Sequence, residues 1–460
     1  MKLLKFGLIS ILLLALLVGC NLNSPSGTPP VVINSTLPAT GATATGAPSS
    51  TSIPPSSTSR PPTQSVTATF PAVITATPLP ATATSAATTK PTVVPTKGTP
   101  VKITNIHMAD TNAGWAIGQF TNATTDDILR TVDGGKTWKA VTPPEPNRPG
   151  KRAVAFVQDA AHAWVNYAQA PGGTPPTAFT IWRTADSGAT WKSSSTSLSA
   201  ISNLESFYTS QIAFRDANNG WLMSILGAGM NHTYIAIYKT SDGGGNWSLI
   251  VSPDKNNVPM SCGKSGLWFR DATHGLLAGN CFGVMKGLYL YQTSDSGATW
   301  SLVNLPAPAG LADAFTKDGN VCGADAPQFF DAQKGVLVVQ CTDVNSSKSY
   351  RWVYVTKNGG TSWTSNPLAR AWGGIFFLNV DTGWYLGQTA ADTTTGVDVY
   401  QTADGGANWK QISGTQWGGT MDYIDAKNGW VIVKSGNDSA LVRTVDGGLS
   451  YQMLNPQLAP

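Results

Sequence analysis

The sequence predicts an all-β fold of seven repeated four-stranded antiparallel units, and three observations predict it. First, the string Thr-x-[Asp/Asn]-[Gly/Ser]-Gly-x-x-[Trp/Tyr] occurs seven times, from TVDGGKTW at Thr131 to TVDGGLSY ending at Tyr451. Its acidic or amide residues are Asp133, Asp186, Asp242, Asp295, Asn358, Asp404 and Asp446. Second, an apolar strand ending in Asp-x-x-x-(Gly)-(Trp) precedes each copy, clearly at Asp110, Asp159, Asp216 and Asp425 and more weakly at Asp271, Asp331 and Asn379. Third, the two signals alternate with a period of about 52 residues, the length of one propeller blade. Seven units predict a seven-bladed β-propeller over residues 101–460.

Unit one justifies the strands in order. Lys102 to Ala109 alternates as a strand, and Asp110 to Gly114 supplies turn residues. Trp115 to Phe120 follows, then Ile128 to Val132, the turn Asp133-Gly134-Gly135, and a last strand from Thr137 to Val141. An Asp at a tight turn accepts backbone N–H groups two or three residues on. The glycine two places after it suits a positive φ. The aromatic five places after it starts the fourth strand and packs between blades. Residues repeated in every blade read as structural rather than catalytic.

The two ends bound the rest. Lys2 and Lys5 precede an apolar run, Leu8 to Val18, too short to span a membrane comfortably. The run closes in Leu17-Val18-Gly19-Cys20, which resembles the lipobox of bacterial lipoproteins. That resemblance implies cleavage of residues 1–19, a lipid on Cys20, and a chain tethered outside the cytoplasm; an ordinary secretory signal is the alternative. Residues 20–100 are mostly Thr, Ser, Pro and Ala and lack the apolar surface to offset the entropy of folding. They are expected to form a disordered stalk or a merely flexible spacer. Only 12% of residues are charged and no basic stripe occurs, which argues against nucleic acid.

Four cysteines remain. Cys262 and Cys281 bracket the Asp271 hairpin, and Cys322 and Cys341 bracket the Asp331 hairpin at the same spacing. Disulfides within units four and five are expected, with pairing between the two units as the alternative. No His or Cys spacing suggests a metal, and no cofactor is implied. His107, His162, His232 and His274 are scattered.

Chain order puts the short, uniform turns on one face and the variable connections on the other. Variable loops on a rigid scaffold are where binding is usually built. That face carries Arg148, Lys151 and Arg152 ahead of blade two, and Arg370, Trp372 and Trp417 ahead of blades six and seven. These six are the expected partner-binding residues. Solvated charges and tryptophans plugging the channel are the alternative.

The repeated turn resembles the Asp-box of sialidases and sortilin-like receptors. Its combination with the Asp-x-x-x-Gly-Trp hairpin, over residues 101–460, is similar to the photosystem II assembly and stability factor family. The resemblance implies a non-enzymatic scaffold holding partner proteins through a positive surface, and that is the function expected here, with the chain a monomer. A surface lectin or adhesin binding glycans is the alternative. A sialidase-like glycoside hydrolase is less favoured, because four unrepeated arginines and two glutamates, Glu145 and Glu205, leave a carboxylate pair hard to nominate. No catalytic residue is expected.

Overall fold

A computed structural model describes residues 97–459, apart from 121–122, 124, 147, 170–173, 230–231, 282–285, 391–395 and 436–437. The expected signal, Cys20 and nearly all of the expected stalk lie outside the described residues. Within them the fold is all-β: a seven-bladed propeller of antiparallel meanders. Blade one runs Val101–Met108, Gly114–Phe120, Asp127–Thr131 and Thr137–Ala140, paired in that order. Blades two, three, six and seven repeat this order as separate four-stranded sheets. Blades four and five are joined where Asn280 pairs with Gly323, making one larger sheet. The first strand of blade five is also split, into Asn320–Ala324 and Gln328–Phe329.

Each blade forms because both of its signature turns satisfy their own backbone. In the first-to-second turns, Asp110 Oδ1 accepts the N–H groups of Asn112 and Ala113 at 2.7 Å. Asp159, Asp216, Asp271, Asp331, Asn379 and Asp425 repeat the arrangement. The chain then reverses without a buried unpaired N–H.

Aromatic stacking between blades builds the core. The second-strand tryptophan of one blade stacks on the first-strand aromatic of the next: Trp164 on Phe214 at 4.0 Å, Trp221 on Phe269 at 4.2 Å and Trp384 on Tyr423 at 3.9 Å. Burying each such ring is worth about 2–3 kcal/mol before entropy is counted. Several of these indoles also donate to the turn of the following blade, as Trp164 Nε1 does to Gly243 O at 2.9 Å and Trp384 Nε1 to Gly447 O at 2.8 Å. Trp430 of blade seven donates to Gly134 O of blade one at 2.9 Å, so the same bond closes the ring.

Closure also uses the C-terminal segment. Gln452–Leu454 is the ordinary fourth strand of blade seven. A further strand, Gln457–Leu458, pairs in parallel with Thr137–Trp138 of blade one. It is clamped on its other side, where Gly98 N–H donates to Leu458 O and Leu458 N–H donates to Thr99 O. The cysteines pair within units, Cys262 with Cys281 and Cys322 with Cys341, as the spacing suggested.

Candidate functional site

On the uniform face the seven repeated turns are self-contained. The Thr293 hydroxyl donates to Asp295 Oδ1 and accepts the N–H groups of Asp295 and Gly297. The Asp295 carboxylate then accepts the backbone N–H and hydroxyl of Thr299. Asp133, Asp186 and Asp446 make the same set, Asp242 and Asp404 take the side-chain amides of Asn246 and Asn408 in place of the hydroxyl, and Asn358 donates its amide to Ser362 Oγ instead. The hydroxyls of Thr190, Thr299 and Ser450, followed by their N–H groups, hold Asp186, Asp295 and Asp446 down at about 2. Groups locked as anions by three donors are poor proton donors. The position before the aromatic, always Thr, Asn or Ser, is the part of this turn that the sequence reading passed over.

On the variable face the six expected partner-binding residues divide into two groups. Arg148, Lys151 and Arg152 do come together, but each faces a nearly buried carboxylate. Arg148 donates to Asp127 at 2.7 Å, Lys151 to Glu145 at 2.6 Å, and Arg152 Nε lies 3.4 Å from Asp126. Glu145 also accepts the Trp182 indole N–H, and Asp126 accepts Gln119 Nε2 and the Ala153 N–H. Three cations matched to three carboxylates present no net positive surface. The cluster fixes the loop between blades one and two.

The second group lies at blades five and six. Arg370 donates to Asp398, which also accepts Tyr400 Oη and Gln411 Nε2. Tyr385 Oη donates to the carbonyls of Arg370 and Trp372 at 2.5 and 2.7 Å, fixing that backbone. Arg351 reaches in from blade five, donating to Gly373 O at 2.6 Å and Asp325 at 3.0 Å. The Trp372 indole is partly exposed and joins none of the apolar clusters among the described residues. Trp417, by contrast, packs edge-on against Tyr451 at 5.0 Å within the blade-six and blade-seven cluster. Among the described residues no hydrogen bond or ion pair joins the two groups. The arrangement around Trp372 offers one indole face, two arginines and two carboxylates, Asp325 and Asp398.

Lys264, on the first strand of blade four, is another group the sequence reading missed. Its ammonium donates to the carbonyls of Ser261 and Cys262 at 2.6 and 3.0 Å and lies 4.5 Å over the Tyr289 ring. Burial without a carboxylate partner pushes it down to about 7.

No family model matches the chain. The sequence is similar to a xyloglucanase of Paenibacillus sp., 26% identical over 280 residues, which cover 54% of this chain and 24% of the relative. The aligned part thus spans about a quarter of that relative's length. Among solved structures, the GH74 enzyme of Niastella koreensis matches with a TM-score of 0.31 at 12% identity, over 76% of this chain and 62% of that one. An ulvan lyase of family PL25 matches with a TM-score of 0.45 at 12% identity, over 79% and 96%. A Penicillium chrysogenum α-L-arabinanase matches at 0.39 and 12%, over 66% and 95%.

The expectation of a non-enzymatic protein scaffold is corrected by the likeness to the xyloglucanase, and so is the expectation that the chain is not an enzyme. The structure gives the physical reason the first idea was attractive and wrong. Arg148, Lys151, Arg152 and Arg370 look like a basic patch in sequence, but every one is neutralised by a carboxylate brought from elsewhere in the chain.

Proposed function

We propose that the propeller is a glycan-processing enzyme that meets its polysaccharide on the variable face, with a β-glucan of the xyloglucan kind as substrate. The observation that carries the reading is the 280-residue likeness to a xyloglucanase. The setting of Trp372 supports it. A pyranose presents one apolar C–H face, which stacks on an indole, and a rim of hydroxyls, which pair with carboxylates and guanidinium groups. Glycoside hydrolysis uses two carboxyl groups flanking the scissile bond. Asp325 and Asp398 are the pair assigned here, since both are tied through arginines to the segment that carries Trp372.

The test is release of reducing ends from xyloglucan by wild type, Asp398→Asn, Asp325→Asn and Trp372→Ala. Each carboxylate variant is expected to lower kcat by about 10²-fold or more, and Trp372→Ala to raise KM. Binding without release by the wild type would move the reading to a lectin. Neither binding nor release would overturn it.

The same proposal places the propeller outside the cytoplasmic membrane, tethered by lipid on Cys20 through residues 20–100, where two disulfides persist. Labelling with radioactive palmitate should be lost in Cys20→Ser; labelling that survives would remove the anchor from the account.

A further inference from the structure

Glu205 is one of two glutamates in the chain, and among the described residues it has no hydrogen bond or ion pair. It is exposed, in the connection entering blade three on the variable face. Beside it rises the longest hairpin of the propeller, Gly220–Gly229 with His232–Thr240. The pairing of these strands shifts between Ile225 and Gly227, which leaves Leu226 as the extra residue of a β-bulge. Bulges re-aim side chains, and they concentrate near functional sites.

This bulge has two consequences. Leu226 O accepts both the N–H and the hydroxyl of Ser206, at 3.0 and 2.9 Å, tying the loop next to Glu205 onto the hairpin. Gly227 becomes the cross-strand partner of Tyr234. With hydrogen opposite it, the tyrosine ring stays uncovered and 41% exposed. A Cβ on Gly227 would lie 3.3 Å from Glu205 Oε2 and 3.9 Å from Tyr234 Cδ2, so the bare glycine is the floor between carboxylate and ring. His232 flanks the ring at 6.3 Å with an interplanar angle of 23°. The hairpin is braced from below, where Thr233 N–H donates to Met260 O and His232 bridges to disulfide-bonded Cys262.

We infer that Glu205, Tyr234 and His232 form a subsite for one pyranose ring of a neutral glycan chain. The tyrosine takes the C–H face, the carboxylate accepts two neighbouring hydroxyls, and the imidazole bonds a third. A uronic acid would set its carboxylate against Glu205, so the subsite selects against acidic sugars. This inference rests on the glycan reading above.

The experiment is calorimetric titration of a xyloglucan heptasaccharide into wild type, Tyr234→Ala, Tyr234→Phe and Glu205→Gln, with reducing-end release measured on the same preparations. Tyr234→Ala and Glu205→Gln are each expected to weaken binding about tenfold, and Tyr234→Phe, which keeps the stack, by less than about twofold. A glucuronate-containing oligosaccharide should bind Glu205→Gln better than wild type. Wild-type affinity in both Tyr234→Ala and Glu205→Gln overturns the subsite and leaves the glycan reading standing. A wild type that neither binds nor releases sugar overturns both.

Discussion

At the scale of single residues, Thr293 shows how much a short motif hides. Its hydroxyl is the acceptor for two N–H groups and a donor to Asp295, and the residue is 4% exposed. Thr293→Val keeps the shape and leaves the buried Gly297 N–H unpaired, which should cost about 1–3 kcal/mol in thermal or denaturant unfolding. The sequence showed the repeated threonine, aspartate or asparagine, and glycine but not their division of labour, because hydroxyl rotation and carboxylate reach are three-dimensional. Lys264 was not legible at all. Nothing in its neighbours Gly263 and Ser265 announces that three carbonyls will converge on its amine, the third from Thr233. Since its folded pKa is lowered to about 7 from an ordinary value near 10.5, the unfolded chain binds the extra proton between those limits. Stability should therefore rise with pH across that window, and Lys264→Met should flatten the slope.

The repeated turns and the disulfides belong to the scale of elements. Asp186, Asp242, Asp295 and Asp446 are held at about 2 in the fold, below an unfolded value near 3.8. Their contribution is complete above pH 4 and is lost as pH falls through 2. Acid unfolding followed by circular dichroism should show this loss, and Asp295→Asn should shift the acid midpoint towards lower pH relative to its own neutral stability. Cys322 faces Cys341 across paired strands in blade five. Closing that loop should contribute about 3 kcal/mol, so the Cys322→Ser/Cys341→Ser double variant should lose about that much in urea unfolding. Strand order, turn positions and cysteine pairing were all readable because they depend on period and spacing. The bulge at Leu226, a register shift within blade three, and the split first strand of blade five, whose Gly323 pairs with Asn280 of blade four, were not.

For the whole molecule, seven blades follow from seven repeats, whereas ring closure does not. The terminal strand Gln457–Leu458 is too short and polar to be recognised, yet it is hydrogen-bonded on both edges. Truncation after Pro456 should lower the melting temperature and favour opening between blades one and seven, detected as faster amide exchange in Val101–Met108. The charge of the variable face was misread, because the partners of Arg148, Arg152 and Arg370 come from 21, 26 and 28 residues away. A protein scaffold was expected from the family resemblance, which implied a positive surface that these carboxylates neutralise; a glycan-processing propeller is now proposed in its place. The most direct measurement is hydrogen–deuterium exchange of the intact chain with and without xyloglucan oligosaccharide. Protection confined to the variable face, at residues 204–208, 232–234 and 370–374, is the predicted result; protection on the repeated turns around Asp133 to Asp446, or none on either face, would contradict it.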